Sequence, residues 1–206
     1  MPGLSVIFRP FSYLYGFGVA LRNLCFDAGV LPEQRFDVPI VTIGNLAVGG
    51  TGKTPHTEYI YRLLASRGKI AVLSRGYGRA TKGFRMVTSA SKAEECGDEP
   101  CQIKRKFPDA VVAVDANRPH GITRLMKSEQ LAAVVLDDAY QHRYVKPDVN
   151  VLLTEYNHLY CDDHLLPEGH LREPMGARRR ADIIIVTKCP PDLRPIDFQL
   201  LRKRTN

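Results

Sequence analysis

The sequence predicts an α/β fold: a mostly parallel sheet with helices on both faces. Three observations predict it. Short runs rich in Val and Ile recur at 39–43, 70–74, 110–114, 132–136, 149–153 and 183–187, as in parallel strands buried on both faces. Helical patterns at 53–67, 98–106 and 119–128 alternate with them, as strand–helix–strand crossovers require. Between the first strand and the first of these helices stands Ala47-Val48-Gly49-Gly50-Thr51-Gly52-Lys53-Thr54-Pro55. Strand, glycine-rich loop and a Lys-Thr helix start in that order make the fold P-loop NTPase-like.

The first 36 residues stand apart as a hydrophobic helix and connector, with the core expected over 37–206. Phe8, Phe11, Tyr13, Leu14, Tyr15, Phe17, Val19, Ala20, Leu21, Leu24 and Phe26 crowd into one segment, and Arg9 and Arg22 bracket most of it. Pro10, Gly16 and Gly18 interrupt it, so it is too short and broken for a bilayer span. No small-residue cleavage pattern ends it, which argues against a signal peptide. Two readings stay open: a helix buried against the domain, or an amphipathic helix lying in a membrane interface with its aromatics among the lipids. Pro32 and Pro39 then mark a connector into the first strand.

The loop that follows has the chemistry of a phosphate cradle. Its glycines let successive backbone N–H groups turn inward, and the helix N-terminus adds partial positive charge. Lys53 reaches outer phosphates, and the Thr54 hydroxyl suits a magnesium ion. The strict pattern opens on Gly where Ala47 stands, the smallest replacement. The other reading is a tight turn that binds nothing.

Further along, residues 84–88 predict a short extra strand, and the apolar run 131–136 leads into Asp137-Asp138. A strand ending in a carboxylate is what a phosphate-loop enzyme uses to hold Mg²⁺. Gln141 and His142 follow, able to orient water or substrate or simply to make a polar loop. Asp98, in Gly97-Asp98-Glu99-Pro100, is either a helix cap or a carboxylate that takes a proton from an attacking hydroxyl. Arg75, Tyr77 and Arg79 lie in a Gly-rich turn after the second strand, on the edge where sites gather in such sheets. Arginine forks suit phosphate, and the alternative is a solvated basic turn. Arg118 and Arg172-Glu173 pose the same choice. Arg178-Arg179-Arg180 reads as a surface face or an attraction to anionic lipid. Thr187-Lys188-Cys189-Pro190 lacks the Asp that ends a guanine-reading motif, which leaves ATP as the nucleotide.

Bulk composition narrows the classes. Net charge is +7 from 29 basic and 22 acidic residues, so an anionic partner is expected, yet no nucleic-acid-recognition motif is present. Five cysteines, an odd number without a CxxC pair, read as reduced thiols. His158, Cys161, Asp162, Asp163, His164 and His170 fit no zinc spacing and read as a polar loop. After Pro190-Pro191, Phe198, Leu200 and Leu201 begin a helical pattern that the chain barely completes, so a fragment or truncation is expected.

Gly44-Asn45-Leu46 before the loop, Ser74-Arg75-Gly76-Tyr77-Gly78, Gly97-Asp98-Glu99-Pro100, Asp137-Asp138-Ala139-Tyr140-Gln141-His142, Leu166-Pro167-Glu168-Gly169 and Leu171-Arg172-Glu173 together resemble the tetraacyldisaccharide 4'-kinase family of lipid A biosynthesis. The resemblance spans nearly the whole chain. It implies transfer of the γ-phosphate of ATP to the 4'-hydroxyl of a tetraacylated glucosamine disaccharide 1-phosphate. The setting it implies is the cytoplasmic face of the bacterial inner membrane, with the N-terminal helix on the bilayer and no nucleic acid involved. It makes Asp98 the general base, puts Lys53 and Thr54 on phosphate and Mg²⁺, groups Asp137, Asp138 and Glu173 on the metal side, and makes Arg75, Tyr77 and Arg172 substrate contacts beside Gln141 and His142. The family's chain is longer, with a C-terminal lobe that supplies a histidine for which no residue here stands. The family often has Gly where Ala139 stands, so a left-handed backbone there would be strained. The competing class is a nucleotide-dependent switch or regulatory binding protein with no lipid acceptor.

Overall fold

The computed structural model describes residues 7–205; residues 4–6 of the apolar N-terminal segment lie outside the described residues. In chain order the elements are α1 (Arg9–Asp27), β1 (Ile40–Asn45), α2 (Lys53–Ala65), β2 (Ile70–Ser74), β3 (Arg85–Val87), α3 (Ala93–Cys96), α4 (Asp98–Lys106) and β4 (Val111–Val114). There follow α5 (Arg118–Ser128), β5 (Ala133–Leu136), β6 (Val149–Glu155), β7 (Ile183–Thr187) and α6 (Pro195–Thr205). Short 3-10 helices lie at Tyr160–Asp162 and Met175–Arg180.

The chain forms two compact units. The larger comprises 32–44 and 53–150. Its strands run β3-β4-β2-β5-β1, all parallel except β3, which pairs antiparallel with β4 at the edge. Ala71 and Leu73 of β2, Val111 and Ala113 of β4, and Val134 and Leu136 of β5 share one buried cluster with Ile122 and Leu125 of α5. Because side chains alternate along a strand, Ile70, Val72, Val112, Val114 and Val135 point the other way, and they too are buried. Both faces are therefore covered, which is why these strands read as unbroken apolar runs rather than alternating ones. On α2, Tyr61 packs its ring 4.8 Å from that of Phe107, just past α4. Buried Glu58 of α2 takes Lys106 of α4 as an ion-pair partner.

The second unit comprises the described residues up to Leu31, then 45–52 and 151 onward. β6 and β7 pair in parallel, Val151 opposite Ile183. The carbonyl of Thr205 in α6 accepts the Tyr160 hydroxyl and, at 3.2 Å, the Arg178 guanidinium. α1 buries Ser12, Gly16 and Phe26, while Phe11, Tyr13, Leu14, Phe17, Leu21 and Leu24 are exposed. Of the two readings left open for this helix, a helix buried against the domain holds only for a narrow face of Ser12, Gly16 and Phe26. No described helix is long and apolar enough to cross a membrane.

Candidate active site

The loop after β1 is built by two forces. Its glycines adopt backbone conformations that side chains avoid, with φ of +119° at Gly49 and +83° at Gly52. Its first residues are pinned from outside. Arg172 donates its N–H to the Leu46 carbonyl at 2.7 Å, and Val48 donates to the His170 carbonyl at 2.8 Å. These bonds make an antiparallel bridge between Ala47 and Leu171. Val48, Gly49 and Gly50 are left exposed. The polar segment around His158 and His170 lies against this loop, sharing with it a cavity of about 150 Å³. Asp163 organises that segment by accepting the N–H groups of His164 (2.7 Å) and His170 (3.2 Å).

Lys53 opens α2, and its Nζ lies 3.6 Å from Asp138 Oδ1. Asp137, only 3% exposed, accepts the Thr57 hydroxyl at 2.9 Å on Oδ1. Burial pushes its carboxyl up to about 6; the Thr57 hydrogen bond opposes the rise, the charges of Asp138 and Glu99 add to it, and the Arg118 charge works against it. The left-handed residue of this turn is Asp138, with φ of +45°, not Ala139. The strain expected at Ala139 is thus not there; an Asp, whose short polar side chain tolerates that region, carries the bend. Ala139 instead donates its N–H to the Ile43 carbonyl at 3.1 Å, seating the acidic turn on β1.

Arg118 is neither solvated nor a surface fork. It is fully buried, and its guanidinium donates to the carbonyls of Asp115 (2.5 Å) and Asp137 (3.0 Å). It thereby ties together the chain just past β4 and just past β5. Burial lowers its pKa to about 10, while Asp137 and Asp138 hold it up.

Asp98 is the first residue of α4 and is exposed. The cap position belongs to Gly97, so the cap reading of Asp98 is replaced. Gly97 also lets the 75–79 turn close in: a Cβ there would stand 3.0 Å from the Tyr77 carbonyl oxygen and 3.1 Å from Gly76. The structure thus brings the Arg75-Gly76-Tyr77 turn to the start of the Asp98 helix, with Arg75 and Tyr77 exposed. Gln141 and His142 are half-buried on the turn past β5. His142 lines, with Asn117, Arg118 and Tyr144, a cavity of about 500 Å³.

Glu173 and Arg172 have structural partners within their own unit. Glu173 is buried, and its Oε2 accepts from Asn23 at 3.0 Å and from Arg180 at 2.8 Å. The Arg172 carbonyl accepts the Tyr15 hydroxyl at 2.8 Å. Arg180 and Arg178 are therefore internal anchors rather than a free basic surface, while Arg179 is exposed. All five cysteines are free thiols. Among the described residues no three His, Cys, Asp or Glu side chains are grouped as a metal site on their own.

Sequence reasoning missed Thr57, the burial of Arg118 and the bracing of the loop by 170–172. Thr57 lies on the helix face four residues from Lys53, a spacing that gave a signal. The other two depend on backbone groups that the fold brings together, the Asp137 carbonyl for Arg118 and residues 170–172 for the loop, and gave none.

A glycine-rich loop joining the first strand to a Lys-Thr helix, with an acidic pair closing β5, defines an α/β protein with the loop-and-acid arrangement of the phosphate-loop class. The model of the tetraacyldisaccharide-1-P 4'-kinase family matches residues 4–203, and the chain belongs to that family. It is 58% identical over 199 residues to a tetraacyldisaccharide 4'-kinase of Bacteroides fragilis, covering 96% of this chain and 53% of that one. A relative of the same name from Parabacteroides distasonis is 55% identical, with 96% and 54% covered. A crystal structure of LpxK from Aquifex aeolicus in complex with ATP superposes with a TM-score of 0.84 at 36% identity, covering 90% of this chain and 59% of that one. The chain spans about half the length of the curated relatives it matches.

Proposed function

We propose that this chain carries the ATP-binding part of a tetraacyldisaccharide 4'-kinase, which moves the γ-phosphate of ATP to the 4'-hydroxyl of an acylated glucosamine disaccharide 1-phosphate. The observation that carries the reading is the Lys53–Asp138 ion pair at 3.6 Å beside a buried, Thr57-bonded Asp137, on the helix that the glycine loop opens. Backbone amides of 47–52 take phosphate oxygens, and Lys53 offsets charge as the phosphoryl group transfers. Asp98, exposed and released from capping, accepts the proton of the sugar hydroxyl. Arg75 and Tyr77, on the turn closed against Gly97, meet the acceptor, with Gln141 and His142 on the neighbouring turn.

Hard oxygen donors from Thr54, Asp137 and Asp138 suit Mg²⁺, and a carboxyl whose ionised form is penalised by burial fits a cation partner there. When bound, that ion supplies charge neutralisation at the phosphates. Glu173 is left out of this set because Asn23 and Arg180 already hold it. The exposed aromatic face of α1 supports an interfacial seat on the cytoplasmic face of the inner membrane.

The test is phosphate transfer from radiolabelled ATP to the lipid disaccharide. It is run on this chain and on the chain continued by the remaining part of the Bacteroides fragilis relative. Transfer with the continued chain, lost on Asp98→Asn, is the expected result. Absence of transfer from both, with ATP hydrolysis stimulated by a protein partner, would instead establish the switch.

A further inference from the structure

Polar groups along α1 meet one segment, 165–173, and that segment also pins the phosphate loop. Ser12 Oγ donates to the Leu165 carbonyl at 3.1 Å and accepts the Glu168 N–H at 2.9 Å. Arg9 Nε meets Glu168 Oε1 at 3.0 Å, and Asn23 Nδ2 donates to Glu173 at 3.0 Å. Gly16 lets the helix come close, since a Cβ there would stand 2.6 Å from Leu165 Cδ1. Arg172 serves both sides: its carbonyl takes the Tyr15 hydroxyl at 2.8 Å, and its N–H holds the Leu46 carbonyl at 2.7 Å. From helix to loop, the path through Arg172 is two hydrogen bonds long.

Most of the large apolar side chains of α1 are exposed, so Phe26 is its one deeply buried aromatic and polar contacts to the strap supply the rest of its seat. Its seat is set by directional bonds, which fix register and distance where apolar contact would not. The strap passes that register to Leu46 and Val48, and the conformation of the next residues, Gly49 to Thr51, follows from where those two are held.

We propose that α1 is a positioning element for the phosphate loop: through Ser12, Tyr15 and the strap 165–173, its seat sets the affinity of the loop for nucleotide. Ser12 and Tyr15 are positioning residues and touch no phosphate. The proposal rests on the reading that the loop binds ATP.

The experiment compares ATP affinity, by equilibrium titration with Mg²⁺, with amide hydrogen exchange in wild type, Tyr15→Phe, the double variant Ser12→Ala/Tyr15→Phe, and Phe17→Ser. Phe17 is exposed on the same helix and serves as the control. Each lost hydrogen bond weakens the strap modestly, so the double variant is expected to bind ATP about tenfold more weakly. Exchange should quicken at 46–52 and 165–173 while β2 and β4 keep their protection, and Phe17→Ser should match wild type. Unchanged ATP affinity in the double variant, or faster exchange confined to 165–173, overturns the proposal. Should the double variant fail to fold, Tyr15→Phe alone decides, since it removes one hydroxyl: about threefold weaker binding supports the proposal and equal binding overturns it. Wild-type protein that binds no ATP overturns the nucleotide reading itself, and this inference with it.

Discussion

Asp137 sits where the acidic turn is driest, and the sign of its shift fixes a stability profile. Its folded-state pKa, about 6, lies above the ordinary carboxylate value of 3.8. The folded state therefore holds more protons than the unfolded one between those values, and stability falls as pH rises through that window. The contribution is fully present below about pH 4, is lost by about pH 6, and amounts to roughly 3 kcal/mol for a shift of this size. Denaturant melts of ligand-free protein from pH 4 to 7 should show that fall in wild type and a flatter profile in Asp137→Asn; parallel profiles would place the penalty elsewhere. Lys53→Ala should lower kcat/KM of the continued enzyme about 10²–10³-fold, as loss of a charge-stabilising donor does, and steady-state assays read it directly. At this scale the sequence was informative for where Lys53, Asp98, Asp137 and Asp138 stand, because each lies in a motif with a fixed relation to a strand or helix end. It was not informative for Arg118, which reads as surface charge until two carbonyls 3 and 19 residues away bury it.

Elements were readable where one physical signal dominated. Strands 70–74 and 183–187 and helix 98–106 run between the residues their patterns indicate, because buried β-branched runs and helical periodicity each leave one interpretation. Helix α3 has four residues and is too short to show a period. The strap 165–173 is held largely through backbone groups and polar side chains, which no pattern of hydrophobicity records. Gly44 shows what the turn elements demand. A Cβ there would stand 2.6 Å from the Tyr140 Cβ and 2.9 Å from its backbone nitrogen, so the acidic turn can lie on β1 only if residue 44 has no side chain. Gly44→Ala should cost about 1–3 kcal/mol in chemical denaturation, the usual penalty of overpacking a close contact. A variant as stable as wild type would show that the turn moves freely off β1.

For the whole molecule, two assignments reach beyond the described contacts: a bilayer surface for α1 and a nucleotide for the loop. The sequence left the first open, since crowded aromatics suit a core as well as an interface; the exposed Phe11, Leu14 and Phe17 now favour the interface. Leu14→Glu/Phe17→Glu should abolish flotation with anionic phospholipid vesicles, because two charges replace apolar side chains where they would enter the acyl boundary. Retained flotation would put the contact on another surface. The acceptor and the transfer step concern a protein about twice as long as this chain, but the nucleotide does not. Titration of this chain with ATP and Mg²⁺, beside Lys53→Ala, is therefore the most direct measurement. The expected result is saturable binding that weakens by about tenfold or more without the Lys53 ammonium. Saturable binding equal in both proteins, or none in wild type, would contradict it.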